Sequence, residues 1–311
     1  MRNQRWQAAG PGGLNDFVLV DHDAPAPGPN EARVAITAAG VNPADLKHVA
    51  RATSFPLPIG YEIAGVVDAV GPDSVGGSGP LAVGDRVVAF RVHGGYATSA
   101  TIPADTAFAL PDSVDDVSAA GLLLAGTTAA DMLHRSALES GDTIVVHGAS
   151  GAVGATLLQL AARASVSVIG TANPARLDAV RRFGASAVPY GPGLLDRLRA
   201  ATPKPVVAAL DLTGTDEAVQ ASLALVPDRS RIITAAAKAA AQENGFVAVA
   251  GLDPQSTIFR NAMRSELIDL VATGELTVPI AHTFALADAD EALQLVASGR
   301  AGGKVVLTVR Q

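Results

Sequence analysis

The stretch Thr143-Ile144-Val145-Val146-His147-Gly148-Ala149-Ser150-Gly151-Ala152-Val153-Gly154 decides the fold of this chain. Its first four residues are β-branched and read as a buried strand. Its glycines read as a turn, and the apolar run 154–164 that follows reads as a helix. Aligned on the last glycine, the turn is Ala149-x-Gly151-x-x-Gly154. Gly151 lacks a Cβ and lets backbone approach a pyrophosphate, and Gly154 lets helix and strand pack closely. The amides that open the helix, together with its dipole, favour an anion. A strand, a glycine turn and a helix in this order predict a dinucleotide site.

Working outward, short apolar strands are predicted at 165–169, 205–210, 230–234 and 246–250. Helices are predicted at 177–183, 216–225 and 259–272. Strands alternating with helices imply βαβ units and a doubly wound parallel sheet of Rossmann type, assigned to 119–274. One long apolar helix, 118–133, precedes it. The first third is different. Residues 31–40 alternate as a half-buried strand does, 63–70 and 86–90 are further strands, and the glycine-rich 72–80 reads as a surface loop. Residues 1–118 are therefore a β-rich domain. The tail 275–311, with a helix at 288–298 and a closing strand at 304–309, is expected to complete it.

The chain has 311 residues, 49% hydrophobic and 17% charged, with net charge −7. That composition supports large buried cores and argues against a nucleic-acid surface. There is no cysteine, which excludes disulfides, thiolate metal ligands and a thiol nucleophile. The apolar run 117–133 is broken by Thr127, Thr128 and Asp131, so no membrane span is expected, and the opening Met1-Arg2-Asn3-Gln4-Arg5-Trp6 lacks the apolar region of a signal peptide. A soluble cytoplasmic protein is the expectation.

The residues after the second strand choose the dinucleotide. NAD sites place an acid about 20 residues beyond the glycine turn, on the ribose 2′-OH. Thr171 stands there instead, and the next acid, Asp178, falls inside a helix. Arg176 is close by and can pair with a 2′-phosphate. NADP(H) is the expected cofactor. For Arg176 a solvated helix-start residue is the competing reading.

Further runs carry a family resemblance. They are Ala39-Gly40-Val41-Asn42-Pro43-Ala44-Asp45, Pro58-Ile59-Gly60-Tyr61-Glu62-Ile63-Ala64-Gly65, Val83-Gly84-Asp85-Arg86-Val87, Gly94-Gly95-Tyr96-Ala97, Ala125-Gly126-Thr127-Thr128 and Gly303-Lys304-Val305-Val306-Leu307. In this order the sequence resembles the zinc-independent quinone oxidoreductase branch, zeta-crystallin-like, of the medium-chain dehydrogenase/reductase superfamily. The resemblance implies a GroES-like catalytic domain plus a Rossmann domain. It also implies hydride transfer from NADPH to a small electrophile, a quinone or an α,β-unsaturated carbonyl, and assembly as a homodimer.

The resemblance also supplies site residues. Zinc-dependent relatives carry Cys at the position of Asn42 and His at that of Tyr61, so no metal is expected. Asn42 and Tyr61 are then candidate donors to a developing oxyanion, and Tyr61 or a water is the candidate proton donor. For Asn42 a turn residue, and for Tyr61 a half-buried aromatic, are the alternative readings. Ser150, Gly151, Ala152 and Val153 match pyrophosphate contacts, and Thr171, Arg176 and Tyr190 surround the 2′-phosphate. Thr128, Thr213, Ala236, Phe246, Val247 and Val249 match the neighbourhood of the nicotinamide and its ribose, and Lys304 matches a basic residue near the C-terminus.

A tyrosine common in quinone reductases is missing near Ala52 and Thr53. Two other readings accompany the enone or quinone reductase. One is a zinc-free NADPH-dependent carbonyl reductase, and the other is a non-catalytic NADPH-binding protein.

Overall fold

A computed structural model describes residues 3–202 and 204–309. The chain forms two compact units. One comprises residues 1–124 with 264–311, the other residues 125–263.

The first unit begins with β1 (Gln4–Ala8), β2 (Phe17–Asp21) and β3 (Glu31–Val41), followed by α1 (Pro43–Val49) and β4 (Leu57–Pro58). Then come β5 (Glu62–Val70), a small hairpin of β6 (Val75–Gly76) and β7 (Gly79–Pro80), β8 (Arg86–Phe90), β9 (Ser99–Pro103), β10 (Ala107–Ala109) and α2 (Asp116–Ala120). The hairpin occupies the stretch expected to be a plain loop. In β3 the alternation is kept: Ala32, Val34, Ile36 and Ala38 face the core. Its far end is buried on both faces because α2 lies over it; a Cβ on Gly40 would meet the Ala120 carbonyl at 2.1 Å. Gly121 ends α2 and separates it from α3 (Leu123–Arg135), so the long helix expected over 118–133 is two helices.

The second unit holds β11 (Thr143–His147), α4 (Ala152–Arg163), β12 (Ser167–Ala172), α5 (Leu177–Arg181), β13 (Ser186–Pro189), α6 (Leu194–Ala200) and β14 (Ala208–Asp211). It continues with α7 (Asp216–Leu225), β15 (Ile232–Thr234), α8 (Lys238–Asn244), β16 (Val247–Ala248) and the first part of α9 (Pro254–Ala272). All its strand pairs are parallel, in the order β13-β12-β11-β14-β15-β16. This is the doubly wound order of a Rossmann sheet. Successive residues feed opposite faces: Ile144 and Val146 enter one apolar cluster, Val145 and Ala209 the other.

The tail returns to the first unit as β17 (Ile280–Ala285), α10 (Ala289–Ala297) and β18 (Lys304–Thr308). β18 pairs antiparallel with β3 and parallel with β17, inside a seven-stranded sheet that also contains β5, β8, β9 and β10. Trp6 ties the N-terminal sheet to this tail by donating its indole N–H to the Leu286 carbonyl, 2.7 Å.

The division falls at other points than 118 and 274. Leu124 donates its amide to Glu62, and the Arg264 guanidinium lies 5.3 Å from the ring centroids of both Phe90 and Phe108. These contacts hold both segments to the first unit.

Candidate functional site

The second unit carries the glycine turn. Gly148, with φ of +77°, turns the chain out of β11, and Gly151 caps α4. The first helical bond runs from the Ala155 amide to the Gly151 carbonyl, 2.9 Å, so the amides of Ala152, Val153 and Gly154 precede the ladder. Ser150, Gly151, Ala152 and Val153 are half-buried around this opening. A Cβ on Gly154 would meet the Ala149 carbonyl oxygen at 2.5 Å, which is why only glycine fits where helix and strand close together.

A buried polar row braces the turn from below. Paired positions place Thr171, His147, Asp211 and Thr234 side by side across four parallel strands, each at most 2% exposed. The Thr171 hydroxyl accepts the Gly148 amide at 3.3 Å and lies 3.3 Å from His147 Nδ1. Asp211 accepts from the Thr213 and Gly214 amides and from the hydroxyls of Thr213 and Thr234. Burial pushes the His147 imidazole down to about 4, against the pull of Asp211 and Glu217, so it stays neutral.

Thr171 therefore holds the turn instead of reaching a 2′-phosphate. The exposed end of β12 presents Asn173, whose amide donates to the Tyr190 hydroxyl at 3.1 Å and whose oxygen caps the turn carrying Arg176. Tyr190 is 48% exposed, Arg176 is half-buried, and Asp178 pairs with Arg181. Sequence reading passed over Asn173 because no charge marks it.

The remaining expected cofactor residues divide. Thr213 and Ala236 are exposed at strand ends. Phe246 and Val249 belong to the apolar clusters on the two sheet faces, with Val247 packed beside them, so their placement is that of core residues. Thr128 is buried and accepts from Arg260 at 3.1 Å, and Arg260 and Arg135 both pair with the fully buried Asp131.

The first unit gathers Asn42, Asp45, Glu62, Tyr96 and Lys304 into one buried network. Lys304 Nζ donates to Glu62 Oε2 (2.8 Å) and Asn42 Oδ1 (2.7 Å). The Asn42 amide nitrogen donates to the Gly40 carbonyl (3.0 Å) and to Glu62 (3.3 Å). Asn42 thus spends its side chain inside the protein, and Lys304 sits in this core as the partner of Glu62. Asp45 accepts from the Asn42 amide (2.8 Å) and from the Tyr96 hydroxyl (2.7 Å). Burial pushes Asp45 up to about 7; those hydrogen bonds and Lys304 oppose the shift. Burial and the same carboxylate push the Tyr96 phenol well above its ordinary value.

Tyr61 is half-buried and stands against two imidazoles. Its ring centroid is 4.9 Å from His48 and 5.6 Å from His93, and the two histidine rings are 5.2 Å apart. Burial and Asp45 raise the Tyr61 phenol, while Arg51 and Arg91 pull the other way. Burial, then His93, lowers His48. The histidines come from α1 and from the loop after β8, a juxtaposition that no local spacing announces.

Two family models match this chain. Residues 28–112 match the alcohol dehydrogenase GroES-like domain, and residues 183–307 match the zinc-binding dehydrogenase domain. The structure of mycobacterial Rv1454c complexed with NADPH superposes with a TM-score of 0.86 at 28% identity, covering 98% of this chain and 99% of that one. The chain belongs to the medium-chain dehydrogenase/reductase superfamily, in its zinc-independent branch. The name of the second family model notwithstanding, this chain has Asn42 and Tyr61 at the expected ligand positions and no cysteine at all.

A trans-enoyl reductase, thnE, of Trichoderma harzianum is 32% identical over 244 residues, 70% of this chain and 65% of that protein. A 2-haloacrylate reductase of a Burkholderia species is 33% identical over 184 residues, 56% of this chain and 54% of that protein. The chain spans 9% and 65% of the length of the first two curated relatives it matches.

Proposed function

We propose that this chain is an oxidoreductase that binds NADPH and reduces quinones or α,β-unsaturated carbonyl compounds without zinc. The observation that carries the reading is the glycine turn at the α4 N-terminus, followed after β12 by Asn173 and Arg176, with Tyr190 from the end of β13 bonded to Asn173, where an NAD site needs an acid. The α4 amides would hold the pyrophosphate, and the Arg176 group the 2′-phosphate. The names of the relatives, an enoyl reductase and a haloacrylate reductase, favour reduction of a conjugated double bond.

The bound cofactor would supply a hydride. The chain's own part is to stabilise the negative charge that then develops on the substrate oxygen. Tyr61 is the donor best placed for that, since its hydroxyl is a weak acid held protonated by burial. Asn42 acts as a positioning residue: with Lys304 and Glu62 it fixes the end of β3 from which α1 and His48 depart.

NADPH oxidation against a panel of quinones, enones and ketones tests this. Saturation of an enone at C=C supports it. An allylic alcohol product would instead make the chain a carbonyl reductase, and tight NADPH binding without turnover would make it a binding protein. The same reading has it a cytoplasmic homodimer, checked by fractionation and sedimentation.

A further inference from the structure

On the reading that this chain holds the 2′-phosphate of NADPH beyond β12, we infer that Arg197, with Glu217, is a positioning residue for cofactor choice. The two fix the turn that presents the Tyr190 hydroxyl, and they do so from α6 and α7. Tyr190 stands just past β13. Its amide donates to the Ala172 carbonyl at 3.2 Å, so the ladder to β12 holds it from one side. On the other side the chain enters Gly191-Pro192-Gly193. Both glycines are left-handed, with φ of +103° and +82°, and Pro192 has no amide to donate. Such a segment has little of its own to hold its shape.

Arg197 supplies what the turn lacks. Its Nε donates to the Pro189 carbonyl at 3.0 Å, its Nη1 to that of Pro192 at 2.7 Å and its Nη2 to that of Gly191 at 2.7 Å. One planar group with donors in a fixed fork thus holds carbonyls on both sides of Tyr190. Glu217, in the first turn of α7, accepts the Gly191 amide at 2.9 Å. The Arg197 side chain is half-buried, and no ion pair among the described residues uses it; its neighbour Arg199 is the one that pairs with Asp196. A guanidinium that takes three carbonyls of one turn instead of a carboxylate is committed to the shape of that turn.

The shape matters because of what Tyr190 offers. The Asn173 amide donates to the phenol oxygen at 3.1 Å, and the phenol's own hydrogen has no acceptor among the described residues. The ring is 48% exposed. A phosphate oxygen would accept that hydrogen in a charge-assisted bond, about twice as strong as the neutral bond that the bare ribose hydroxyl of NADH accepts. A displacement of the ring by about 1 Å takes the bond out of range. Loosening the turn therefore costs NADPH more than NADH.

The test measures the dissociation constants of NADPH and NADH by fluorescence titration for wild type, R197Q, E217A, Y190F and R197Q/Y190F, with thermal midpoints confirming folded variants. The ratio of the two constants cancels general damage to the Rossmann unit, which weakens both cofactors alike. Wild type is expected to favour NADPH. Y190F should lower that preference about tenfold, and R197Q and E217A each about fivefold or more. In the Y190F background R197Q should add less than about twofold, because a residue that acts through Tyr190 then has nothing left to position. Should R197Q not fold, E217A and E217A/Y190F carry the same comparison. A ratio unmoved in R197Q and E217A, with both affinities lowered together, overturns the inference and leaves Arg197 a structural residue. Losses that multiply in the double variant overturn it too, since the Arg197 charge would then reach the phosphate by itself. A wild type without preference for NADPH would sink the cofactor reading and this inference with it, whereas a preference that falls in Y190F alone sinks only the inference.

Discussion

Lys304→Met is the perturbation that tests the first unit's interior most sharply. The ammonium is 2% exposed and its partner carboxylate 0%, with Nζ 2.8 Å from Glu62 and 2.7 Å from Asn42. Methionine fills similar space and leaves Glu62 charged, keeping only the Leu124 amide and the longer Asn42 contact. Removing one member of a buried ion pair costs about 3–5 kcal/mol, mostly because the other charge is stranded. Adding Glu62→Gln to Lys304→Met removes that charge. The double variant should therefore regain about 1 kcal/mol or more over Lys304→Met alone. The assay is urea unfolding followed by tryptophan fluorescence. The chain has one tryptophan, Trp6, buried in the first unit, so the signal reports that unit without the other. A cost below about 1 kcal/mol for Lys304→Met, or a double variant less stable than the single, would refute the network as the element holding β3, β5 and β18 together.

Gly154→Ala should abolish NADPH binding, measured by fluorescence titration, and lower the thermal midpoint, because its Cβ would fall 2.5 Å from a backbone oxygen. Arg176→Gln should weaken NADPH about tenfold or more and NADH far less; equal losses would remove it from the 2′-phosphate. Asp45→Asn should change the pH dependence of stability. Burial raises the native carboxyl to about 7, so between about 4 and 7 the folded chain holds a proton that the unfolded chain releases. Stability then falls as pH rises through that window, and melting points at pH 5 to 8 should show the decline lessened in Asp45→Asn; an unchanged slope would contradict this.

Much of the fold was legible because its signals are local. The β-branched run 143–146, the glycine turn and the strand–helix alternation state the Rossmann unit, and helix 216–225 lies where its pattern put it. Boundaries slipped where tertiary packing decides. The apolar run 118–133 gives no hint that Gly121 divides it, since that break serves packing over Gly40 and Lys304. The short strands at 4–8, 17–21 and 99–103 earned no assignment: the first two pair with each other but carry no clean alternation, and the third pairs with β3, far earlier in the chain. At the site, identities were readable but orientations were not. Thr171 was placed at the right strand end, yet its hydroxyl turns inward to Gly148. Asn42 was found, but the residue that occupies its amide oxygen, Lys304, stands 262 positions away.

The seven-stranded sheet has a consequence for how the chain is made. When synthesis has reached residue 263, the second unit possesses every one of its six strands, while the first still lacks β18, which must enter between β3 and β17. The edge of β3 that β18 will cover stays open for that interval, and the Glu62 carboxylate waits beneath it without its counter-ion. Closing it requires a contact between segments about as far apart as this chain permits, the slow kind of step in folding. The nascent protein thus has a finished nucleotide-binding unit while its other unit is unfinished, and the arrival of β18 decides when the first unit becomes whole.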